Sequence, residues 1–281
     1  MTTKFFLLLA ICFIIFQTEV NGQQLLDSGI YVIPYPQKVQ VSGEPFHFDG
    51  EINIAIDKNA SAADRFAANE LISDLKNEWN ITATLNDKRT LKTIRLIRNA
   101  ARRNSTQQPY HITVTKQLIT IAAAHEDALF YGTQTLLQLI VKKNAAPYVA
   151  GMEIEDWPEI PERAVHYDTK HHQDKYTYVQ KFIKELARYK INILVWEWED
   201  KFEYPSHPEI GAPGAFTTKE IQALTDYAAN YHIEIVPLVQ GLGHASYILK
   251  WPQFKHLREI NDSNFEFCPL RDGTYDLLFD L

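Results

Sequence analysis

Glu234-Ile-Val-Pro-Leu-Val-Gln-Gly-Leu-Gly-His-Ala-Ser-Tyr-Ile248 decides the fold of this chain. Ile233 to Val239 is an apolar, β-branched run, the pattern of a strand buried on both faces. It passes without a break into Gln240-Gly241-Leu242-Gly243-His244, where the glycines permit a sharp turn. Gln240 and His244 are thereby left at the carboxyl end of a strand. Parallel α/β folds bind their ligands at that end. A buried strand with a glycine turn and a structural histidine fits the same residues, and the upstream segments weigh between the two readings.

Moving outward, a strand followed by a helix occurs twice before this point. Ala164 to Asp168 reads as a short strand, and Asp174 can cap a helix with the apolar face Val179, Phe182, Ile183, Leu186. Asn192 to Trp198 is a second strand, ending in Glu199-Asp200. Thr217-x-x-Glu220 is a capping-box pattern, and Ile221, Leu224, Thr225 and Ala228 stripe the following helix. This β-α-β-α-β order, with helix-length spacers, predicts an α/β fold with a parallel sheet or barrel.

Residues 23–150 have a different rhythm. Ile52 to Ile56, Thr93 to Arg98 and His111 to Thr115 alternate as strands, and Lys116-Gln117 separates the last from Leu118 to Ala123 as in a hairpin. Two helical stripes, Ala68-Leu71-Ile72-Leu75-Trp79 and Leu129-Thr133-Leu136-Leu137-Ile140, complete a small α+β domain. Ala145 to Pro161 has the prolines and acids of a joint. The domains are therefore expected at 23–150 and 151–281. Residues 1–22 stand apart: Lys4, then an apolar run from Phe5 to Phe16, then Val20-Asn21-Gly22 form a secretory signal pattern, so a secreted or periplasmic location is expected. After cleavage Cys268 alone remains, which excludes an internal disulfide and a cysteine-based metal site. Sequons stand at Asn59, Asn80, Asn104 and Asn261. The net charge of −7, without a basic block, argues against nucleic acid as the main partner.

On that scheme Arg163 begins the first barrel strand, and Asp168 and Lys170 end it. Glu199 and Asp200 end the second, and Gln240 and His244 the third. In a barrel these ends converge on one mouth, here with Trp196, Trp198 and Tyr204 close by. Carboxylate, imidazole and cation beside aromatic faces suit a polyol. Interior salt bridges are the competing explanation, for Asp168 above all, since buried charges are normally paired. His166, His171, His172 and His244 raise a metal-dependent hydrolase as another, although no H-E-x-x-H helix motif is present.

Residues from about 30 to 281 resemble glycoside hydrolase family 20, the β-N-acetylhexosaminidases. Ile33-Pro-Tyr-Pro36 and Tyr131-Gly-Thr-Gln-Thr-Leu-Leu-Gln-Leu139 resemble its accessory domain. Ile154-Glu-Asp-Trp-Pro158 and Arg163 resemble its approach to a (β/α)8 TIM barrel. Glu197-Trp-Glu-Asp-Lys-Phe-Glu-Tyr204, Pro237-Leu-Val-Gln-Gly-Leu-Gly-His244 and His256-Leu-Arg-Glu259 are nearest to its hexosaminidase D-like branch. The resemblance implies an α+β accessory domain followed by the first three β/α units of an incomplete barrel. It implies that Arg163 clamps sugar hydroxyls, and that Asp200 pairs with His244, which in the family contacts the general-acid glutamate. Asp168, Lys170, Glu199 and Gln240 are placed with the substrate. Ala164, Leu238 and Gln240 depart from the commoner family pattern, the last two as in the hexosaminidase D-like branch.

The implied activity is removal of terminal non-reducing β-linked N-acetylhexosamine, GlcNAc or GalNAc, from glycans, with no cofactor and no metal. The family mechanism is retaining and substrate-assisted: an aspartate orients the substrate's acetamido group as nucleophile, and an adjacent glutamate protonates the leaving oxygen. No adjacent Asp–Glu pair follows His244 here. The 281-residue chain is therefore expected to be a fragment, inactive alone, with an inactive sugar-binding or partner-binding remnant as the alternative.

Overall fold

A computed structural model describes residues 24–86, 92–98 and 109–281. The expected signal segment and the sequon at Asn104 lie outside these residues. Asn59, Asn80 and Asn261 are exposed. The chain divides into two compact units, residues 1–158 and 159–281.

The first unit is a seven-stranded mixed sheet under two helices, with a small sheet beside it. Its strands are β1 (Lys38–Val41), β2 (Phe46–His47), β3 (Ile52–Ile56), β4 (Ala83–Leu85), β5 (Thr93–Arg98), β6 (Tyr110–Val114), β7 (Leu118–Ala123), β8 (Val141–Lys143), β9 (Ala146–Val149) and β10 (Met152–Asp156). The main sheet runs β1-β10-β6-β7-β5-β3-β4, and β2, β9 and β8 form the small one. β6 and β7 are the expected antiparallel hairpin. Register aligns Leu96, Ile121 and Ile112 on one buried face, while Arg95, Thr120 and Thr113 alternate to the other.

Helices α1 (Ala62–Trp79) and α2 (Glu126–Leu139) cover the buried face. A Ser61–Asp64 capping box starts α1. Leu71 and Leu75 on it are fully buried. α2 is buried nearly all round, from Ala128 to Leu137, and Gly132 lets it come close to the sheet: a Cβ there would stand 2.5 Å from Ile121 Cγ2. Tyr110, fully buried, ties three elements together. Its hydroxyl lies 2.6 Å from Thr135 Oγ1 on α2 and donates to Asp156 on β10.

That strand corrects one expectation. The domain break anticipated after residue 150 falls instead at 158, because Met152–Asp156 pairs with both β1 and β6 inside the first sheet. Alternating apolar residues, Met152 and Ile154, both buried, give it a strand's period despite its acidic content.

The second unit is a parallel three-stranded sheet, β11 (Ala164–Asp168), β12 (Ile193–Glu197) and β13 (Glu234–Leu238), in that order. α3 (Tyr176–Arg188) joins the first two strands and α4 (Thr218–Asn230) the next two. Val179, Ile183 and Leu186 of α3 are buried, as are Leu224 and Ala228 of α4. The expected Thr217–Glu220 capping box is formed. Asp174 does not cap α3: its carboxylate accepts from the Tyr167 hydroxyl and pairs with His172 at 3.2 Å, leaving Lys175 as an N-cap without a side-chain bond.

Candidate active site

Parallel register sets the site. Asp168, Glu197 and Leu238 stand side by side at the carboxyl ends of β11, β12 and β13. Period-two alternation puts His166, Val195 and Val236 on the same face, one step back. Tyr167, Leu194 and Trp196 face the other way. Trp196, fully buried, lies 5.5 Å from both the Tyr167 and Phe216 rings. It was expected to line the mouth; its place in the alternation puts it on the face away from Glu197.

Glu197 is the centre of the arrangement, with a side chain that has no exposure at all. Its Oε2 lies 2.8 Å from His166 Nε2, and its Oε1 lies 3.0 Å from Lys170 Nζ. The Gln240 side-chain amide donates to the same Oε1. Lys170 Nζ reaches Asp168 Oδ2 at 3.0 Å as well, so one ammonium bridges two strand ends. The Thr169 amide and hydroxyl both donate to the Glu197 carbonyl, and Trp196 Nε1 donates to that hydroxyl. Three strands are thus tied at one point.

The electrostatics follow from these contacts. Burial alone would push the Glu197 carboxyl up. Hydrogen bonds from Gln240, Lys170 and His166, with the Lys170 charge, outweigh it and hold Glu197 below the usual carboxylate range. Asp168 is also held low: burial opposes the change, but the Lys170 amide and ammonium prevail. Lys170 is pushed up, first by Glu197 and then by Asp168. Glu199 goes the other way. Burial, and next the Glu197 charge, raise it to about 7. Carboxyls whose surroundings drive them apart suit different tasks, one as a fixed anion and one as a proton carrier.

Asp168, Lys170 and Gln240 are therefore brought together as expected, with Glu199 just beyond. Arg163 is not; Asp200 shares the turn of Glu199 but pairs with lysines rather than joining the Glu197 bonds, and His244 lies beside Phe265. Arg163 precedes the first residue of β11, so five strand residues separate it from the carboxyl end, roughly 16 Å at the usual rise. Its guanidinium donates to the carbonyls of Lys190, Ile160 and Pro161 at 2.6–2.9 Å, which closes loops at the amino end. Arg163→Ala is expected to destabilise residues 159–281 by about 2 kcal/mol, in the range for hydrogen bonds to a charged group. Sugar affinity should be unchanged; urea unfolding beside a binding titration checks both.

Asp200 pairs with Lys201 and, at 3.8 Å, with Lys250. His244 is exposed, takes φ 55°, and lies 4.9 Å from the Phe265 ring. Among the described residues no hydrogen bond or ion pair joins Asp200 to His244, so the expected dyad is not formed. The reason is local. The turn after β13 sets His244 in a left-handed conformation beside Phe265, while two lysines compensate Asp200. The four histidines weighed for a metal are likewise dispersed, His166 on Glu197 and His172 on Asp174. Among the described residues no three metal-capable side chains gather.

Glu197 is the residue that sequence reasoning passed over. The available signal was a charge closing the apolar run Ile193-Leu-Val-Trp, in step with Asp168 when the strands are laid parallel.

Parallel strands with polar side chains gathered at their carboxyl ends are the ground plan of the β/α-barrel class. Comparison with known proteins narrows the class. Residues 29–157 match the model of glycosyl hydrolase family 20, domain 2, and residues 161–268 match that of the glycosyl hydrolase family 20 catalytic domain. The chain belongs to glycoside hydrolase family 20. It is 24% identical over 246 residues to a β-hexosaminidase of Porphyromonas gingivalis, covering 78% of this chain and 31% of that protein. It is 32% identical over 99 residues to hexosaminidase D of Bos taurus, 35% of this chain and 29% of that one. A family 20 exo-β-N-acetylglucosaminidase from Vibrio harveyi, in complex with N-acetylglucosamine, superposes with a TM-score of 0.74 at 22% identity, covering 89% of this chain and 43% of its own. A family 20 β-N-acetylhexosaminidase from Streptomyces coelicolor gives 0.73 at 24%, covering 89% and 56%. The chain thus spans about a third of the Porphyromonas relative and about half of these structures.

Proposed function

We propose that residues 159–281 form part of the sugar site of a β-N-acetylhexosaminidase, which removes terminal non-reducing β-linked N-acetylhexosamine from glycans. The observation that carries this is the buried Glu197 carboxylate, held charged by His166, Lys170 and Gln240 at the carboxyl ends of parallel strands. An anion fixed in this way, itself without exposure, holds Lys170 and Gln240 in place, and the partly exposed Lys170, shared with Asp168, is left to donate to sugar hydroxyls. Family membership supports the substrate class. N-acetylglucosamine is the ligand in the Vibrio harveyi structure.

Hydrolysis in this reading is retaining, with the substrate's own acetamido group as nucleophile. It calls for an Asp–Glu pair that does not follow His244 among the 281 residues. These residues therefore contribute recognition, and the proton-transfer pair is assigned to a further strand of a fuller barrel. Secretion is proposed on residues 1–22, whose charged and then apolar pattern supports it.

The test is to incubate the 281-residue chain with 4-nitrophenyl N-acetyl-β-glucosaminide and, separately, to titrate it with N-acetylglucosamine. Binding without turnover is expected. Turnover would overturn the assignment of chemistry to a further strand, and failure to bind would overturn the sugar site.

A further inference from the structure

Lys201 carries its charge where solvent scarcely reaches: the residue is 9% exposed. An ammonium in such a place needs partners. One is its neighbour Asp200, whose carboxylate accepts from Nζ. The other is the carbonyl of Lys170, 3.2 Å away on the turn after β11. The side chain starts from a fixed base, because the backbone on either side is pinned. The Lys201 amide donates to the Trp198 carbonyl, and the Lys201 carbonyl accepts from the Phe216 amide, both at 2.7 Å. The Ala212 amide donates to the Asp200 carbonyl at 2.7 Å. The turn after β12 thus reaches across to the turn after β11. Asp200 has a second cation, Lys250, at 3.8 Å, but Lys250 is 44% exposed, and a pair of that kind contributes little.

What Lys201 holds is the residue left to meet the sugar. Lys170 is attached at three points. Its amide donates to Asp168 Oδ1 at 3.0 Å, its ammonium bridges Asp168 and Glu197, and its carbonyl accepts from Lys201. The first two attachments lie within the Glu197 cluster, and the third comes from outside it. We propose that Lys201, anchored on Asp200, is a positioning residue: it fixes the Lys170 backbone so that the Lys170 ammonium meets both carboxylates and a sugar hydroxyl at once. This deepens the sugar-site reading, and its effect on affinity rests on that reading; the tie between the two turns does not. Asp168 reports where Lys170 is. Burial works against the low titration of Asp168, and the Lys170 amide and ammonium produce it. A Lys170 that drifts from its place lets the Asp168 carboxyl rise toward its ordinary value of 3.8.

The experiment follows the Asp168 carboxyl carbon by NMR as the pH of the 281-residue chain is lowered from 6 to 3, and separately titrates the chain with N-acetylglucosamine at pH 6, for the parent, Lys201→Met, Lys250→Met and Asp200→Asn. Lys201→Met keeps the apolar stem and removes the donor. Asp168 is expected to titrate higher in it than in the parent, and N-acetylglucosamine to bind about fivefold more weakly, as for one lost hydrogen bond. Lys250→Met removes an equal charge from the same carboxylate and should match the parent in both. Asp200→Asn takes away a negative charge, which by itself would lower Asp168; with Lys201 released, Asp168 should rise instead. This variant decides the matter if Lys201→Met does not fold. The proposal is overturned if Asp168 titrates in Lys201→Met as in the parent, if Lys250→Met raises it as far, or if it fails to rise in Asp200→Asn. A raised Asp168 with unchanged affinity in Lys201→Met also overturns it, since Lys170 would have moved without consequence for the sugar. A parent that binds no N-acetylglucosamine removes the sugar-site reading, and the tie between the turns is then upheld or overturned by Asp168 alone.

Discussion

Glu197→Ala is expected to lower the stability of residues 159–281 by about 3 kcal/mol and to abolish N-acetylglucosamine binding. Removing one member of a buried charge pair costs roughly 3–5 kcal/mol, because its partner is stranded. The low end applies here, since Lys170 and His166 are 21% and 53% exposed and water compensates part of their loss. Gln240 and the bridge to Asp168 lose their anchor at the same time. Urea unfolding followed by near-ultraviolet circular dichroism measures the loss; a change below about 1 kcal/mol, the worth of an ordinary neutral hydrogen bond, would contradict the role given to Glu197.

The acid limb separates charge from packing. Glu197 titrates below its ordinary value of 4.5 in the fold, so its contribution is complete above that value and is lost as pH falls further. Glu197→Gln, similar in shape but without charge, should lack this part of the acid-induced loss. The comparison requires stability measurements at pH 6 and pH 3 for both proteins.

Trp196→Ala is the second large effect, about 3–5 kcal/mol, the usual cost of emptying a buried indole site. The ring is enclosed by Tyr167, Trp198 and Phe216, and its Nε1 ties to Thr169, which in turn holds the Glu197 carbonyl. Trp196→Phe retains most of the apolar filling but strands the Thr169 bond, so a loss of about 1–2 kcal/mol is expected. Thermal unfolding checks the ranking. Equal melting of the two variants would mean that volume at this position matters little, contrary to its full burial.

The architecture was legible where periodicity was strong. The apolar faces of α3 and α4, the run from Ile233 and the Thr217–Glu220 box each impose one local structure, and their order leaves little but a parallel β/α arrangement. Met152–Asp156 was harder, because proline and acid content around it imitates a joint while its alternation marks a strand. The site was legible only in part. Asp168, Lys170 and Gln240 follow from strand ends alone, since register brings the ends of parallel neighbours together. Arg163 sits at the opposite end of its strand, where a guanidinium meets loop carbonyls; position along a strand, not residue type, decides that. Pairing of Asp200 with His244 depends on turn geometry, φ 55° at the histidine, and on two lysines that no spacing rule reveals. Glu197 was hidden by its apolar neighbours, although alternation puts it on the face of His166 and away from Trp196.

Backbone and side-chain amide shifts, recorded by NMR as N-acetylglucosamine is added to the chain, test the account most directly. The Thr169 and Lys170 amides and the Gln240 side-chain amide should move together and saturate at one concentration, while the Arg163 amide stays in place. Saturating shifts confined to Arg163 and the loops around Lys190, with Gln240 unmoved, would mean that the sugar is not held where the three strand ends meet at Glu197.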